Sequence, residues 1–529
     1  MRPIGRLRRH LRPCVAAACL CGIASTAYAA ELTPTTRDDV PQPDDGLSLR
    51  QAVQRAAQNP GYDAITLAPG RYALTDCGAG ALTVPDGDSL TVFGNGATVV
   101  QTCPGAPAFS VSGVGYLRAV TVTSASETPA PLVYTDGLLW TRSAVMAGSP
   151  GAGIRCVGCS EVVVINSRLQ GNAAGGLVVR GGARRVFVSV RGSQVLDNRS
   201  DFSGAGVSVT SASPASHVWI TDSTVAGNAM VGDLGGGGVS IAGPRADVLR
   251  SFIRGNVAGS EDTPGSGGGL RFAATDDRVL TIAGSVISGN RASMAGGGLL
   301  ATGPADVSIS ASTIADNRAA AQGGGGAVQT TASGGLVVDG STITRNTAGP
   351  ASGGGGLSVV GSSRRVTISR STVEGNTAGR GGGVDAADAV GVAVERSTVV
   401  RNTSPRGANL AVSGDAGLTL LADLIAQPQG GANCSTGPGG SVASNGFSFL
   451  ADASCGRSPG DVVDGSDPGV GPVGAPAGLV PPMAALRADS PAAGIVPVEV
   501  CAGLTDQAGR PRGADGCAAG ASEPADSAR

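Results

Sequence analysis

The pattern S-x-[IVL]-x-x-N occurs nine times along the chain and constrains its fold more than any other feature. Successive asparagines are 26 to 34 residues apart, which is too irregular for a coiled coil but typical of stacked coils with variable loops. A tenth, degenerate copy ends at Gly148. Each copy therefore predicts one turn of a repeat protein. The nine asparagines are Asn172, Asn198, Asn228, Asn256, Asn290, Asn317, Asn346, Asn376 and Asn402.

Three short apolar segments recur within each turn. In one turn a glycine run leads into residues 299–300, an alternating segment follows at 307–309, and the repeat pattern closes at 312–317. Alternation places Val307 and Ile309 on one face and Ser308 on the other, as in a β-strand. One turn cannot bury its inward residues alone, so stacking on its neighbours must stabilise it. The sequence predicts an all-β right-handed parallel β-helix of the pectin-lyase-like class.

The asparagine column is predicted to be structural. A tight turn favours a residue that tolerates left-handed backbone geometry and can bond its own backbone. Stacked asparagine side chains can also form a hydrogen-bonded ladder along the rod. The serine five residues before each asparagine receives the same interpretation, because a nucleophile is needed once and not nine times.

Composition agrees with a repeat and excludes several classes of protein. The chain has 86 glycines but no strict triplet period, which leaves disorder or a glycine-punctuated repeat. A hydrophobic fraction of 41% and a net charge of -2 argue against disorder. The basic residues are all arginine, and the near-neutral balance gives no electrostatic case for nucleic-acid binding.

Residues 1–29 have the order of a secretory signal peptide, with arginines, a short apolar stretch and small residues before a predicted cut after Ala29. A signal anchor is the alternative, but the apolar stretch is shorter than the roughly 20 residues of a membrane span. Arg8 and Arg9 leave a twin-arginine export route open. The mature chain is therefore expected in the periplasm or the extracellular medium, without a helical membrane span.

Eight cysteines follow the predicted cut, and an even number in an exported chain predicts disulfides. Sequence neighbours suggest the pairs, although the connectivity stays open. A zinc site at Cys156 and Cys159 would need a second pair or nearby histidines, which the sequence lacks. No metal or cofactor is predicted. The suggested pairs are Cys77 with Cys103, Cys156 with Cys159, Cys434 with Cys455, and Cys501 with Cys517.

A short capping helix is predicted at the start of the rod. Ser48-Leu-Arg-Gln51 has the form of a capping box, and an apolar helical stripe follows. Residues 47–53 resemble the CSLREA motif found at the start of many bacterial exported β-helix proteins, with leucine in place of the cysteine. The resemblance implies an N-terminal lid. The stripe consists of Leu49, Ala52, Val53, Ala56 and Ala57.

A loop-rich cap is predicted at the other end. Residues 489–494 and 506–523 resemble the choice-of-anchor Q domain, and the glycine runs with asparagine turns resemble polymorphic outer-membrane protein repeats. These resemblances imply fold and location more than chemistry. The predicted division is a signal peptide (1–29), a linker (30–46), an N-terminal cap with the first turns (47–110), the β-helix repeats (111–430) and the C-terminal cap (431–529).

β-Helices often act on acidic polysaccharides, so an enzyme is one hypothesis. After the predicted cut the chain has one histidine, His217, and no lysine, which removes a multi-histidine metal site and lysine-dependent mechanisms. His217 is interpreted as a partly exposed side chain beside a strand. A calcium-dependent lyase would need converging carboxylates, and the best concentration is Glu261 and Asp262 in one loop. No catalytic residue is assigned.

Arginines flank several of the asparagines and suggest a loose basic strip beside the loops. Arg199, Arg291 and Arg318 follow their asparagines, whereas Arg345 and Arg401 precede theirs. Guanidinium groups pair well with carboxylates and sulfates, so an anionic polysaccharide or a cell-surface component is the expected partner. The candidate binding residues are Glu261, Asp262, Arg291, Arg318 and Arg345.

The leading functional hypothesis is an exported β-helix that acts in surface interaction, adhesion or glycan binding without catalysis. One alternative is a polysaccharide lyase or hydrolase that acts on acidic glycans. The other is a purely structural scaffold.

Overall fold

The computed structural model describes residues 30–39, 46–59, 61–201, 204–232, 235–320, 326–331, 334–474, 478, 480–513 and 515–524. The predicted signal peptide lies outside the described residues. The described chain winds into a right-handed parallel β-helix, in which successive turns pair strand by strand. The predicted fold class is therefore confirmed.

Three long sheets run along the rod, and each complete turn, counted from its glycine run, passes through sheets 1, 2 and 3 in that order. Sheet 1 has 14 strands: Leu82–Val84, Phe109–Val111, Val133–Thr135, Ile154–Val157, Leu177–Arg180, Val207–Thr210, Val239–Ala242, Leu270–Ala273, Leu299–Thr302, Val328–Thr331, Leu357–Val360, Val384–Ala387, Leu410–Ser413 and Cys434–Thr436. Sheet 2 has 16 strands: Ala30–Leu32, Tyr62–Thr66, Ser89–Phe93, Val114–Arg118, Leu138–Arg142, Glu161–Ile165, Phe187–Arg191, His217–Thr221, Arg245–Leu249, Arg278–Ala283, Ala305–Ser310, Leu336–Asp339, Val366–Ser369, Val392–Glu395, Gly417–Leu421 and Ser441–Ser444.

Sheet 3 has 16 strands: Arg71–Leu74, Thr98–Gln101, Thr121–Ser124, Val145–Ala147, Arg168–Gln170, Gln194–Leu196, Thr224–Ala226, Phe252–Arg254, Val286–Ser288, Thr313–Ala315, Thr342–Thr344, Thr372–Glu374, Thr398–Val400, Leu424–Ala426, Phe449–Leu450 and Val462–Val463. Sheet 4 lies in the loops after the asparagines and has five short strands: Arg199–Ser200, Ala229–Met230, Val257–Ala258, Arg291–Ala292 and Arg318–Ala319. Alternation along each strand sends one set of side chains into the rod and the other set outward.

The core is a stack of inward columns that run along the rod. In sheet 2, Val188, Val218, Ala246, Leu280 and Val307 stand in register in successive turns, and none is more than 2% exposed. Because each inward side chain packs on the same position of the turns above and below, burial depends on stacking. Stacking of each turn on its neighbours was predicted from the repeat pattern.

The asparagines form a buried ladder along the rod. The Nδ2 group of Asn317 donates to Asn346 Oδ1 and to the Ile287 carbonyl, each at 2.9 Å. Its Oδ1 accepts from the backbone N–H and the Nδ2 group of Asn290, at 3.0 and 2.9 Å. The ladder continues beyond the nine repeats through Asn409 and Asn433, which the sequence pattern does not contain.

The asparagines do not themselves adopt the left-handed backbone that the sequence interpretation gave them. The residue before each asparagine has the positive φ instead, for example 61° at Gly255 and 59° at Asp316. The asparagine side chain points into the rod to join the ladder, so the change of direction falls one residue earlier. Glycine occupies five of these nine positions because it has no Cβ to hinder that conformation.

The repeated serines form a second ladder. The backbone N–H of Ser285 donates to Ser312 Oγ at 3.1 Å, and that hydroxyl donates to the Ser310 carbonyl at 2.7 Å. In the turn after the last repeat Asp423 takes the serine position, and its Oδ1 accepts from the Ser397 N–H at 2.7 Å. The serine column is therefore a part of the scaffold in this structure.

The N-terminal end of the rod is covered by a helix, Leu49–Ala57. Ser48 and Gln51 form the predicted capping box, and the apolar stripe of the helix packs on the core. The interval 30–46 was predicted as a linker, but Ala30–Leu32 is the first strand of sheet 2 and pairs with Tyr62–Thr66. Pairing of those backbone groups extends the rod by one strand beyond the predicted start.

At the other end the β-helix extends past residue 431, the predicted start of the cap, as far as Val462–Val463. A 3-10 helix, Ala453–Cys455, and a short helix, Val498–Cys501, interrupt the later loops. The chain after residue 463 folds back over the outer face of sheet 3, where Val400 and Leu424 join an apolar cluster with Leu486. Those outward apolar side chains explain why the segment lies along the side of the rod.

The eight cysteines form four disulfides, as predicted. The bonded pairs are Cys77 with Cys103, Cys156 with Cys159, Cys434 with Cys455, and Cys501 with Cys517. Among the described residues no group of three or more histidine, cysteine or acidic side chains has the arrangement of a metal site. The described part of the chain also contains no helix that is long and apolar enough to cross a membrane.

Candidate functional site

The structure brings three of the five predicted binding residues together. Glu261, Arg291 and Arg318 line a shallow pocket of about 470 Å³ beside sheet 4, where the two arginines are register partners in adjacent turns. Asp262 does not line this pocket, and its backbone N–H donates to Ser260 Oγ within the loop. The pocket is open to solvent, and its charged lining consists of one carboxylate and two guanidinium groups.

Arg345 lies at a different corner of the turn. Its guanidinium donates to both carboxylate oxygens of Asp316, at 2.8 and 3.0 Å. Arg401 is likewise paired, with Glu374 at 2.7 Å. The arginines that precede their asparagines are therefore neutralised by acids and do not extend the row formed by Arg291 and Arg318. Among the described residues, the loose basic strip expected from the sequence is therefore limited to the arginines that follow their asparagines, Arg199, Arg291 and Arg318, which stand in one column of sheet 4.

A second concave region lies on the outer face of sheet 1. It has a volume of about 500 Å³ and is walled by Pro129, Pro131 and Val178. Arg155 and Arg180 reach into it from neighbouring strands, and neither forms a hydrogen bond through its guanidinium with any described residue.

The outer face of sheet 2 carries an aromatic strip, which we define as Tyr116, Trp140, Phe187, His217 and Trp219. All five side chains are partly exposed. The chain has only two tryptophans, and both belong to this strip, three turns apart in the same outward column. Aromatic residues make up 3% of the chain, so their concentration on one face stands out against the rest of the surface.

Ring contacts organise the strip into two groups. The Tyr116 and Trp140 rings lie 5.8 Å apart, as do the Phe187 and Trp219 rings. His217 stacks on Trp219 with the ring centroids 3.7 Å apart and the planes 26° from parallel. These contacts fix the ring orientations and leave apolar surface facing outward.

His217 is also held by an acid from the next turn. Its Nε2 lies 2.6 Å from Asp247 Oδ2. Burial raises the pKa of Asp247, but hydrogen bonds from His217 and Thr281 outweigh it and hold that pKa below its usual value. Asp247 therefore stays ionised beside the imidazole, which is the arrangement that orients a histidine for proton transfer or for binding an anion.

Arginines border the aromatic strip on one side. Arg118, Arg142 and Arg191 end three of the sheet 2 strands, occupy the same outward column and are exposed. None forms a salt bridge with a described residue. Two successive turns thus present an aromatic ring and an arginine two residues apart, as Tyr116-Leu-Arg118 and Trp140-Thr-Arg142, in register.

One acid lies between the two groups of rings. Burial raises the pKa of Glu161, and the nearby Arg185 offsets part of that rise. The Arg185 guanidinium itself sits 4.2 Å from the centre of the Phe187 ring. This part of the face therefore combines apolar rings with several arginines and the partly buried Glu161 carboxyl.

Sequence reasoning identified His217 but not the strip around it. The members lie in four different turns, and variable turn lengths hide which outward positions share a column. The signal that could have revealed the strip is an alignment of the turns on their inward valines, which places both tryptophans in one column.

Residues 237–425 match a family model described as the right-handed beta helix region. The chain is also similar to a solved structure, the A-module of the mannuronan C-5 epimerase AlgE6 of Azotobacter vinelandii. The two share 13% identity over 75% of this chain and 94% of the other, with a TM-score of 0.37. No curated protein matches the sequence. The matched region covers the middle turns of this right-handed parallel β-helix.

Proposed function

We propose that this protein binds an acidic polysaccharide along the outer face of sheet 2 and does not cleave it. The observation that carries the proposal is the register of Tyr116-Leu-Arg118 with Trp140-Thr-Arg142, continued three turns later by Trp219. Each of the two ring–arginine pairs offers an aromatic ring to the apolar face of a sugar and a guanidinium to the carboxylate or sulfate of that sugar.

The geometry of the rod suits an extended ligand. Neighbouring strands of a sheet are about 4.8 Å apart, so Trp140 and Trp219 lie on the order of 14 Å apart along the rod. A polymer that runs parallel to the rod axis can contact both rings and all three bordering arginines. A compact ligand can contact only one of the two groups of aromatic rings.

Retention by immobilised or gel-embedded polyuronate or chondroitin sulfate tests the proposal. Trp140→Ala and Arg142→Ala should each weaken retention, and added salt should weaken it further because exposed charges are screened within about 8 Å at physiological ionic strength. Arg180→Ala on sheet 1 and Arg318→Ala beside sheet 4 are matched controls that should bind as the parent does.

Three outcomes would contradict the assignment. Loss of retention in Arg318→Ala with normal retention in Trp140→Ala would move the site to the loop pocket, and the corresponding result for Arg180→Ala would move it to sheet 1. Absence of retention on every acidic glycan would favour the scaffold alternative.

A lyase is the second candidate, and the contact between His217 and Asp247 is the observation that favours it. In such a reaction His217 would remove the proton from the carbon beside a uronate carboxylate. The bond between the next ring carbon and the glycosidic oxygen would then break, leaving a carbon–carbon double bond, and the departing oxygen would take a proton from solvent to become the hydroxyl of a new reducing end.

Absorbance of unsaturated products decides between the two functions. We expect no product from pectate, alginate or chondroitin sulfate, with or without calcium. Sustained product release that disappears in His217→Ala but persists in Arg318→Ala would replace the binding proposal with the lyase.

A further inference from the structure

A buried carboxylate lies at the N-terminal end of the rod. Asp63 is the second residue of Tyr62–Thr66 and is 1% exposed. It stands in the inward column that Leu90 and Leu139 occupy in later turns. An acidic side chain at an apolar core position requires a partner, because burial of an unpaired charge is costly.

No described arginine or histidine pairs with Asp63. Neither carboxylate oxygen of Asp63 has a hydrogen-bond partner within the described ranges. Burial raises the pKa of Asp63, the Ala30 N–H and the Asn59 side chain offset part of the rise, and the Asp88 charge adds to it. Arg50 of the neighbouring helix is already paired with Asp39 at 2.7 Å.

The group that faces Asp63 is the start of the first strand. Ala30 is the register partner of Asp63 in the pairing of Ala30–Leu32 with Tyr62–Thr66. The sequence independently predicts export and a cut between Ala29 and Ala30. Hydrolysis of that peptide bond adds one water, leaves a carboxylate on Ala29 and converts the Ala30 amide nitrogen into a positively charged α-ammonium group.

We infer that Asp63 is the binding site for the α-ammonium group of the mature chain. Cleavage creates, at the register position of the buried acid, a cation with three N–H donors. The resulting ion pair anchors Ala30–Leu32 and completes the N-terminal end of the rod. In the uncleaved chain the same nitrogen is neutral, so Asp63 has no counter-charge and the first strand is held less firmly.

The inference is tested by comparing two forms of the protein that retain all residues from Ala30 onward. One begins at Ala30, and the other carries three extra residues, Ser-Gly-Ser, before it. At pH 7 the extension should raise the unfolding equilibrium constant of the N-terminal turns, read by hydrogen exchange of Ala30–Leu32 and Tyr62–Thr66, by about tenfold or more. In Asp63→Asn the extension should have little effect.

The pH profile separates an ion pair from simple crowding by the extra residues. Because Asp63 ionises with a raised pKa in the unpaired state, the extended form loses stability as pH rises above the usual aspartate value. The difference between the two forms should therefore be small near pH 4 and large at pH 7. Asp423→Asn is a matched control, since Asp423 is also a buried carboxylate but lies near the other end of the rod, and it should leave the difference between the two forms unchanged.

Two results would overturn the inference. One is equal exchange rates for the two forms at pH 7 with Asp63 intact. The other is an N-terminus of the exported protein, determined by mass spectrometry, at a residue other than Ala30.

Discussion

Replacing Asn317 with leucine removes one member of the asparagine ladder from the middle of the rod. Asn317 is 1% exposed, and its side chain takes part in four hydrogen bonds. Leucine has a similar volume and no polar atoms. The substitution therefore separates the contribution of the ladder from that of packing.

The structure identifies which neighbours lose their partners. The backbone N–H of Asn290 loses its acceptor, and the Ile287 carbonyl loses a donor. Asn346 Oδ1 keeps the backbone N–H of residue 317, and Asn290 Nδ2 keeps the Ile253 carbonyl. Each buried polar group left unsatisfied costs about 1 to 3 kcal/mol, and the added apolar surface of leucine offsets part of the total. We expect a net loss of about 2 to 4 kcal/mol.

Equilibrium unfolding in guanidinium chloride measures this loss. Asn445→Leu is the matched control because Asn445 is exposed and outside the ladder, and it should change stability by less than about 0.5 kcal/mol. If Asn317→Leu unfolds at the same denaturant concentration as the parent, the ladder does not stabilise the rod and the physical account of the repeat is wrong.

Three further predictions concern single sites. Asp423 is fully buried, and burial raises its pKa. Its ionisation should therefore cost stability as pH rises above the usual aspartate pKa of about 3.9. Asp423→Ser should raise the melting temperature at pH 7 but not at pH 4. Ala311 has a φ of 45°, so Ala311→Gly should stabilise by about 0.5 to 1 kcal/mol, whereas Ala273→Gly in an extended strand should destabilise by a similar amount, both read by denaturant midpoints. Thiol labelling of native, unreduced mature protein should find no free cysteine, and one labelled thiol per chain would refute the four pairs.

The fold could be predicted because its determinants recur within each turn. Alternation at Val307 and Ile309 and the repeated asparagine are local signals, and nine copies reinforce them. The ladder members Asn409 and Asn433 were missed because they lie outside the pattern and join the column only through the path of the last turns. The left-handed residue was misplaced because sequence alone does not show that the asparagine side chain points inward.

The candidate site could not be predicted because it depends on register between turns. Trp140 and Trp219 are far apart in sequence and share a column only after three turns of unequal length have been stacked. Glu261 and Arg318 were easier to associate, since both lie in loops that follow an asparagine. The sequence did not reveal that Arg345 pairs with Asp316, because that partner comes from the preceding turn.

Tryptophan fluorescence can show whether an acidic glycan binds the outer face of sheet 2, because Trp140 and Trp219 are the only tryptophans in the chain and both lie on that face. Titration with an acidic oligosaccharide long enough to span three turns should change the emission saturably. The apparent affinity should fall in Arg142→Ala and at high salt, but not in Arg318→Ala. Retention of the same glycan without any change in tryptophan emission, or an equal response to a neutral oligosaccharide, would contradict acidic-glycan binding on this face.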